Sequence, residues 1–62
     1  MKKESIIYVN KEQMSDALDS LGIYSIEYST DKPNKISVDN KDLPEIFDIF
    51  KSYNIDIISV EY

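Results

Sequence analysis

The sequence predicts an α+β fold with the order strand, helix, strand, strand, helix, strand. A four-stranded antiparallel sheet would carry both helices on one face. Three observations predict this. Two segments place apolar residues at helical spacing, four segments of strand length are rich in β-branched and aromatic residues, and the two halves of the chain resemble each other.

The first half begins with a strand over residues 5–9, where β-branched and aromatic side chains dominate. Asn10, followed three residues later by Gln13, predicts a capping box. Gly22 predicts the helix end, because glycine adopts the left-handed conformation at little cost. A second strand is expected over residues 23–29. One helix face at i, i+3, i+4, i+7 would consist of Met14, Ala17, Leu18 and Leu21.

The second half repeats this order after a turn over residues 30–34, which contains Pro and Asn and predicts a hairpin. A strand over residues 35–39 precedes a second capping box formed by Asp42 and Glu45, with Pro44 tolerated in the first helical turn. A final strand is expected over residues 55–62. The second apolar stripe consists of Leu43, Ile46, Phe47 and Phe50.

Two such units, joined by a hairpin and closed by right-handed crossovers, can combine in few ways. The expected strand order is 4-1-3-2. This arrangement resembles the ferredoxin-like fold, which is an architecture and not a single family. The resemblance covers essentially the whole chain, and it implies one domain of residues 1–62 built from repeat units 5–29 and 35–62.

The two units do not align with a single offset. In the helices Met14 matches Leu43, whereas the segment IYSIEY that begins at Ile23 matches the segment IISVEY that begins at Ile57. The second offset is the longer one, which predicts an insertion over residues 52–56. It also places Ile26 and Val60 at equivalent core positions.

Composition argues against several functions. The net charge is −5, from twelve acids and seven lysines without arginine, which opposes direct nucleic-acid binding. The chain has no cysteine or histidine, so disulfides, common zinc sites and the usual nucleophile–base pairs are not expected. Gly22 is its only glycine, so no glycine-rich phosphate loop is expected. We therefore expect neither an enzyme nor a cofactor.

No segment approaches the roughly 20 apolar residues of a membrane span, so no membrane partner is expected. Without a signal-peptide pattern, the cytoplasm is the expected compartment. The abundance of Ile, Lys, Asn and Tyr is typical of AT-rich coding, as in some bacteria and their phages.

Strand alternation predicts an apolar patch on the uncovered face of the sheet. Its residues would be Ile6, Tyr8, Ile23 and Ile57. The last strand, which ends in Val60, Glu61 and Tyr62, contains little to prevent pairing with another strand. Acids recur on the polar faces of the two helices, and they form a further candidate protein-binding surface: Asp16, Asp19, Glu45 and Asp48.

These features favour a small noncatalytic protein-interaction module. Its partner would be a second copy in a homodimer, a larger host protein, or both. One version is an inhibitor of a host protein, encoded by a phage or mobile element. The alternative is a small-molecule-binding regulatory domain that acts as a dimer.

Overall fold

A computed structural model describes residues 3–62 of the chain. Its strands and helices are β1 (Glu4–Val9), α1 (Met14–Ile23), β2 (Tyr28–Lys32), β3 (Lys35–Asp39), α2 (Leu43–Ser52) and β4 (Ile57–Glu61). The strand order is β2-β3-β1-β4, and all neighbouring strands are antiparallel. This is the predicted order 4-1-3-2 read from the other edge, so the ferredoxin-like arrangement is confirmed.

The core lies between the sheet and the two helices. Alternate residues of the central strands β1 and β3 are buried there: Ile7, Val9, Ile36 and Val38. The helices contribute Met14, Ala17, Leu21, Leu43, Ile46, Ile49 and Phe50, whereas Leu18 and Phe47 are only partly buried against this cluster. The helical stripes therefore lie on the faces that their spacing predicts.

A buried serine joins the start of β1 to the end of β3. Ser5 is fully buried, and its Oγ accepts a 2.8 Å hydrogen bond from the side-chain nitrogen of Asn40. The Asn40 backbone N–H donates to the Lys3 carbonyl at 2.7 Å. The polar groups of Ser5 and Asn40 are thus paired where one strand ends beside the other.

Helix α1 does not end at Gly22 as predicted. It continues to Ile23, and the left-handed residue is Ser25, with φ of 56°. Asn54, after α2, has φ of 57°. Both turns close alike, because the Ile26 N–H donates to the Leu21 carbonyl at 2.9 Å and the Ile55 N–H donates to the Phe50 carbonyl at 2.8 Å.

The helices of the two halves, and the strands that follow them, recur at one constant offset. Met14 and Leu43 begin the helices, and Tyr28 and Ile57 begin the strands that follow, so the helices and the strands are displaced equally along the chain. The predicted insertion over residues 52–56 is therefore wrong. The segments that begin at Ile23 and Ile57 are similar in sequence, but Ile23 is the last residue of α1 and Ile57 is the first residue of β4.

The core position of Ile26 follows the same offset. Its counterpart is Ile55, which is also buried, and not Val60, which is only partly buried in β4.

The strand predicted over residues 23–29 shares only residues 28 and 29 with β2, which continues to Lys32 and so occupies part of the predicted turn over residues 30–34. The strand predicted over residues 55–62 begins two residues before β4 and ends one residue after it. In the first half, the end of α1, the left-handed Ser25 and the buried Ile26 occupy the start of the predicted strand, whereas in the second half only Ile55 and Asp56 precede β4.

The predicted capping boxes are also absent from residues 3–62. A 3-10 turn precedes each helix, at Lys11–Gln13 and Asn40–Asp42. The side chains of Asn10, Gln13 and Asp42 make no capping hydrogen bond. The 3-10 turn starts the helix instead, since the Gln13 N–H donates to the Asn10 carbonyl at 3.0 Å. Pro44 does occupy the first turn of α2, as predicted.

The helical conformation of Gly22 leads to a prediction. A Cβ added there meets no atom within 4 Å, and the φ of Gly22 is not positive. Gly22→Ala is expected to raise the free energy of unfolding by about 0.5–1 kcal/mol, because alanine restricts the unfolded chain and favours helix. Urea unfolding followed by circular dichroism measures this change. A loss of stability would instead place the left-handed residue at Gly22.

Candidate functional site

The uncovered face of the sheet is more polar than predicted. Ile6 and Tyr8 lie on it and are partly buried. Ile6 pairs with Ser37 on one side and Glu61 on the other. Tyr8 lies between Lys35 and Ser59 in the same way. Each apolar residue of β1 on this face therefore has polar neighbours on both sides, and no continuous apolar patch forms around them.

Tyr8 is part of a hydrogen-bonded pair on this face. Its hydroxyl donates to a Glu61 carboxylate oxygen at 3.2 Å. Desolvation raises the pKa of Tyr8, and the hydrogen bond to Glu61 and the negative charges of Glu61 and Asp31 raise it further. Lys35 forms an ion pair with Asp31 at 3.8 Å nearby. These contacts join β1 to β4 and β3 to β2 across the open face.

Two of the residues expected in the apolar patch lie elsewhere. Ile57 pairs with Val9 and packs against the core, because a β-bulge shifts the register of β4 between Tyr8 and Val9. Ile23 is 67% exposed but ends α1, away from the sheet. The prediction that both face outward on the sheet is wrong. Protein binding by Ile23 or Ile57 stays a prediction.

The four helical acids are exposed at the predicted positions. Asp16 and Glu45 lie in the first turns of α1 and α2, where negative charge complements the helix dipole. Asp19 and Asp48 are exposed farther along the same helices. Among residues 3–62, no group of three or more His, Cys, Asp or Glu side chains is placed to hold a metal ion. Protein binding by these acids stays a prediction.

The outer edge of β4 combines exposed apolar side chains with main-chain groups that no other strand of the sheet pairs, since β4 pairs only with β1. Ile58 is 60% exposed and Tyr62 is 69% exposed, and Val60 is partly exposed between them. The strand contains no proline or lysine. Its single charge, Glu61, already accepts the hydrogen bond from Tyr8. An edge of this kind readily pairs with another strand.

The opposite edge, formed by β2, is protected. Asp31 and Lys32 place charges at its end, and Pro33 follows immediately. A register irregularity between Ser29 and Lys32 further distorts this edge. Charges, prolines and bulges are the features by which natural sheets prevent edge pairing. β4 also contains a bulge, opposite Tyr8 and Val9, but it has no proline and only one charged residue, so it is the less protected of the two edges.

Two shallow depressions accompany these edges. One, of about 300 Å³, lies between α2 and the start of β4, and its lining includes Phe47, Lys51 and Ile57. The other, of about 210 Å³, is bordered by the carboxylate residues Glu4, Glu27 and Asp39. Small-molecule sites are usually enclosed and mainly apolar. Both depressions are open to solvent and have mixed linings: Lys51, Asn54 and Asp56 lie beside Phe47 in the first, and Tyr28 and Val38 lie beside the acids in the second.

The chain matches no protein-family model, no curated protein and no solved structure in the three comparisons. No helix within residues 3–62 has the length and apolar character to cross a membrane. The function must therefore be inferred from the residues and their arrangement. Sequence reasoning found the open final strand but missed Ile58, because nothing in the local pattern reveals the bulge.

Proposed function

We propose that this chain is a small noncatalytic protein-interaction module that binds its partner through the outer edge of β4. The observation that carries the proposal is the exposure of Ile58 in an edge strand with no proline or lysine, and of Tyr62 directly after that strand. A partner strand would hydrogen-bond to the unpaired main chain of β4. Its apolar side chains would cover Ile58 and Tyr62.

The noncatalytic part of the proposal rests on the residue types available. Without cysteine, histidine or arginine, the chain lacks a thiol nucleophile, an imidazole base to activate its serines, and a guanidinium clamp for phosphate. Its helical carboxylates are exposed on two helices. Tyr8, whose pKa is raised, holds its proton toward Glu61 and is a poor source of phenolate.

Two kinds of protein partner fit an open edge strand. One is a second copy of the chain, and the other is a larger protein, such as a host protein bound by an inhibitor from a phage or mobile element. We place this interaction in the cytoplasm. The alternative function, a small-molecule-binding regulatory domain, would require a more enclosed site than the two shallow depressions provide.

Photo-crosslinking at two matched isoleucines tests the proposed surface. Benzoylphenylalanine replaces either Ile58 or Ile23, which are 60% and 67% exposed on different elements. In cells of the species that encodes the protein, we expect defined protein adducts from position 58 and none from position 23. Equal labelling at both positions, or adducts from position 23 alone, would contradict an interface at β4.

A further inference from the structure

We infer that the partner at the β4 edge is an extended segment of another protein that is rich in lysine or arginine. The inference rests on the proposed interaction surface and names the chemistry of its occupant. Within residues 3–62, β4 pairs only with β1, so its outer main chain can accept a further strand that lies alongside it. The charge of that strand follows from the distribution of acids along the chain.

Most of the net charge belongs to the helix and strand that form this side of the molecule. Residues 42–62, which contain α2 and β4, hold five of the twelve acids but only one of the seven lysines, and so carry a net charge of −4. Residues 1–41 carry −1. Phe47 and Lys51 of α2 line the same depression as Ile57 of β4, so the two elements adjoin. The unpaired edge therefore lies in the negative part of the molecule, where a cationic partner is attracted.

Two of these acids lie at the ends of the edge strand itself. Asp56 directly precedes β4, and Glu61 is its last residue. Both are exposed, and within residues 3–62 no lysine forms an ion pair with either carboxylate. At the rise of an extended strand, the two residues are about 15 Å apart. A partner strand of similar length with a cation near each end would match both charges.

The part of β4 between the two acids is apolar. Ile58 is 60% exposed, and Val60 is partly exposed. Apolar side chains in the middle of the partner segment would remove this surface from water, which favours binding. The expected segment is therefore apolar in the middle and basic at its ends.

A second copy of the chain does not supply such a segment. Its β4 carries the same negative charge, and like charges oppose the approach of two such edges. Its β2 hairpin contains Lys32 and Lys35, but Lys35 pairs with Asp31, and Pro33 and an irregular register protect that edge. Charge therefore favours a different protein as the partner.

Peptides of defined charge test this inference by NMR. The probe is a short peptide of alternating valine and threonine with lysines at both ends, and in its control glutamate replaces every lysine. We expect the lysine peptide to shift the amide signals of β4, less so as salt is raised, and the glutamate peptide to bind at least about 10-fold more weakly. Equal binding of the two peptides, or a lysine peptide that leaves β4 unshifted, overturns the inference.

Charge-removing variants separate recognition at β4 from the overall charge. Asp56→Asn combined with Glu61→Gln should weaken binding of the lysine peptide about 5-fold, because exposed ion pairs contribute modestly. The matched control is Glu27→Gln combined with Asp31→Asn. It removes the same charge at the other edge, where Glu27 directly precedes β2 as Asp56 precedes β4, and it should leave binding unchanged. Equal weakening by the two double variants contradicts recognition at β4.

The oligomeric state and the crosslinked segment distinguish this inference from the proposed function. The chain alone should stay monomeric in sedimentation equilibrium throughout the micromolar range, and a dimer that Ile58→Lys dissociates would overturn the inference. Mass spectrometry of the adducts from position 58 should identify a partner segment of net positive charge. A neutral or acidic segment would overturn the basic partner and leave the interaction module intact. Absence of adducts at position 58 would contradict both.

Discussion

Replacing Phe50 by alanine is expected to lower the free energy of unfolding by about 3–5 kcal/mol, the usual cost of removing a buried aromatic side chain. Phe50 is fully buried in α2 and belongs to the core cluster. A domain of 62 residues has a total stability of roughly 3–9 kcal/mol. The variant should therefore lose a large part of its stability, and urea unfolding followed by circular dichroism should show a large drop in the midpoint.

Phe47→Ala is the matched control, because Phe47 lies on the same helix but is only partly buried. Its loss should cost distinctly less, since part of its ring is already in contact with water. Both variants should be compared at one protein concentration, because association through β4 would add to the apparent stability. A larger loss for Phe47→Ala than for Phe50→Ala would contradict the observed packing of α2.

The elements that the sequence predicts well are those whose signal extends over several turns. The stripes that include Leu21 and Phe50 repeat over two helical turns, and a pattern of that length fits only one face of a helix. Alternation in β1 likewise places Ile7 and Val9 in the core, as observed. From these stripes, the hairpin and the crossover rule, the whole strand order follows.

The boundaries of the helices and strands depend on single residues and are not encoded by such extended patterns. IYSIEY at residues 23–28 and IISVEY at residues 57–62 look alike, yet the first begins in α1 and the second is mostly β4. What separates them is the position of the left-handed turn at Ser25, whose counterpart after α2 is Asn54. Serine signals such a turn much less strongly than glycine does. The sequence therefore predicts the end of α1 at the neighbouring Gly22, although the left-handed residue is Ser25.

In the candidate site, too, the feature set by the topology could be predicted, whereas the feature set by a single residue could not. The open edge of β4 follows from topology, so the sequence could predict it. The exposure of Ile58, and the burial of Ile57 against the core, depend on the bulge opposite Tyr8 and Val9. A shift of one residue exchanges the faces of a strand. The predicted patch that included Ile57 therefore failed even though the strand itself was expected.

A second large effect on stability is expected at Gln13, whose side chain joins the two halves. Its Nε2 donates to the Asn54 carbonyl at 3.0 Å, and its Oε1 accepts from the Asp56 N–H at 2.9 Å. Gln13→Ala removes both hydrogen bonds and should lower the free energy of unfolding by about 1–2 kcal/mol, because water partly replaces them at this exposed site. Hydrogen exchange at the Asp56 amide should become faster.

Asp42→Ala supplies the matched control, since Asp42 directly precedes α2 just as Gln13 directly precedes α1. Its side chain makes no capping hydrogen bond, so its removal should cost less and leave exchange at Asp56 unchanged. Equal effects of the two variants would mean that Gln13 acts only as a helix-start residue. Asp56 directly precedes β4. Gln13 therefore holds the strand whose bulge exposes Ile58, and Gln13→Ala should weaken association through that edge as well.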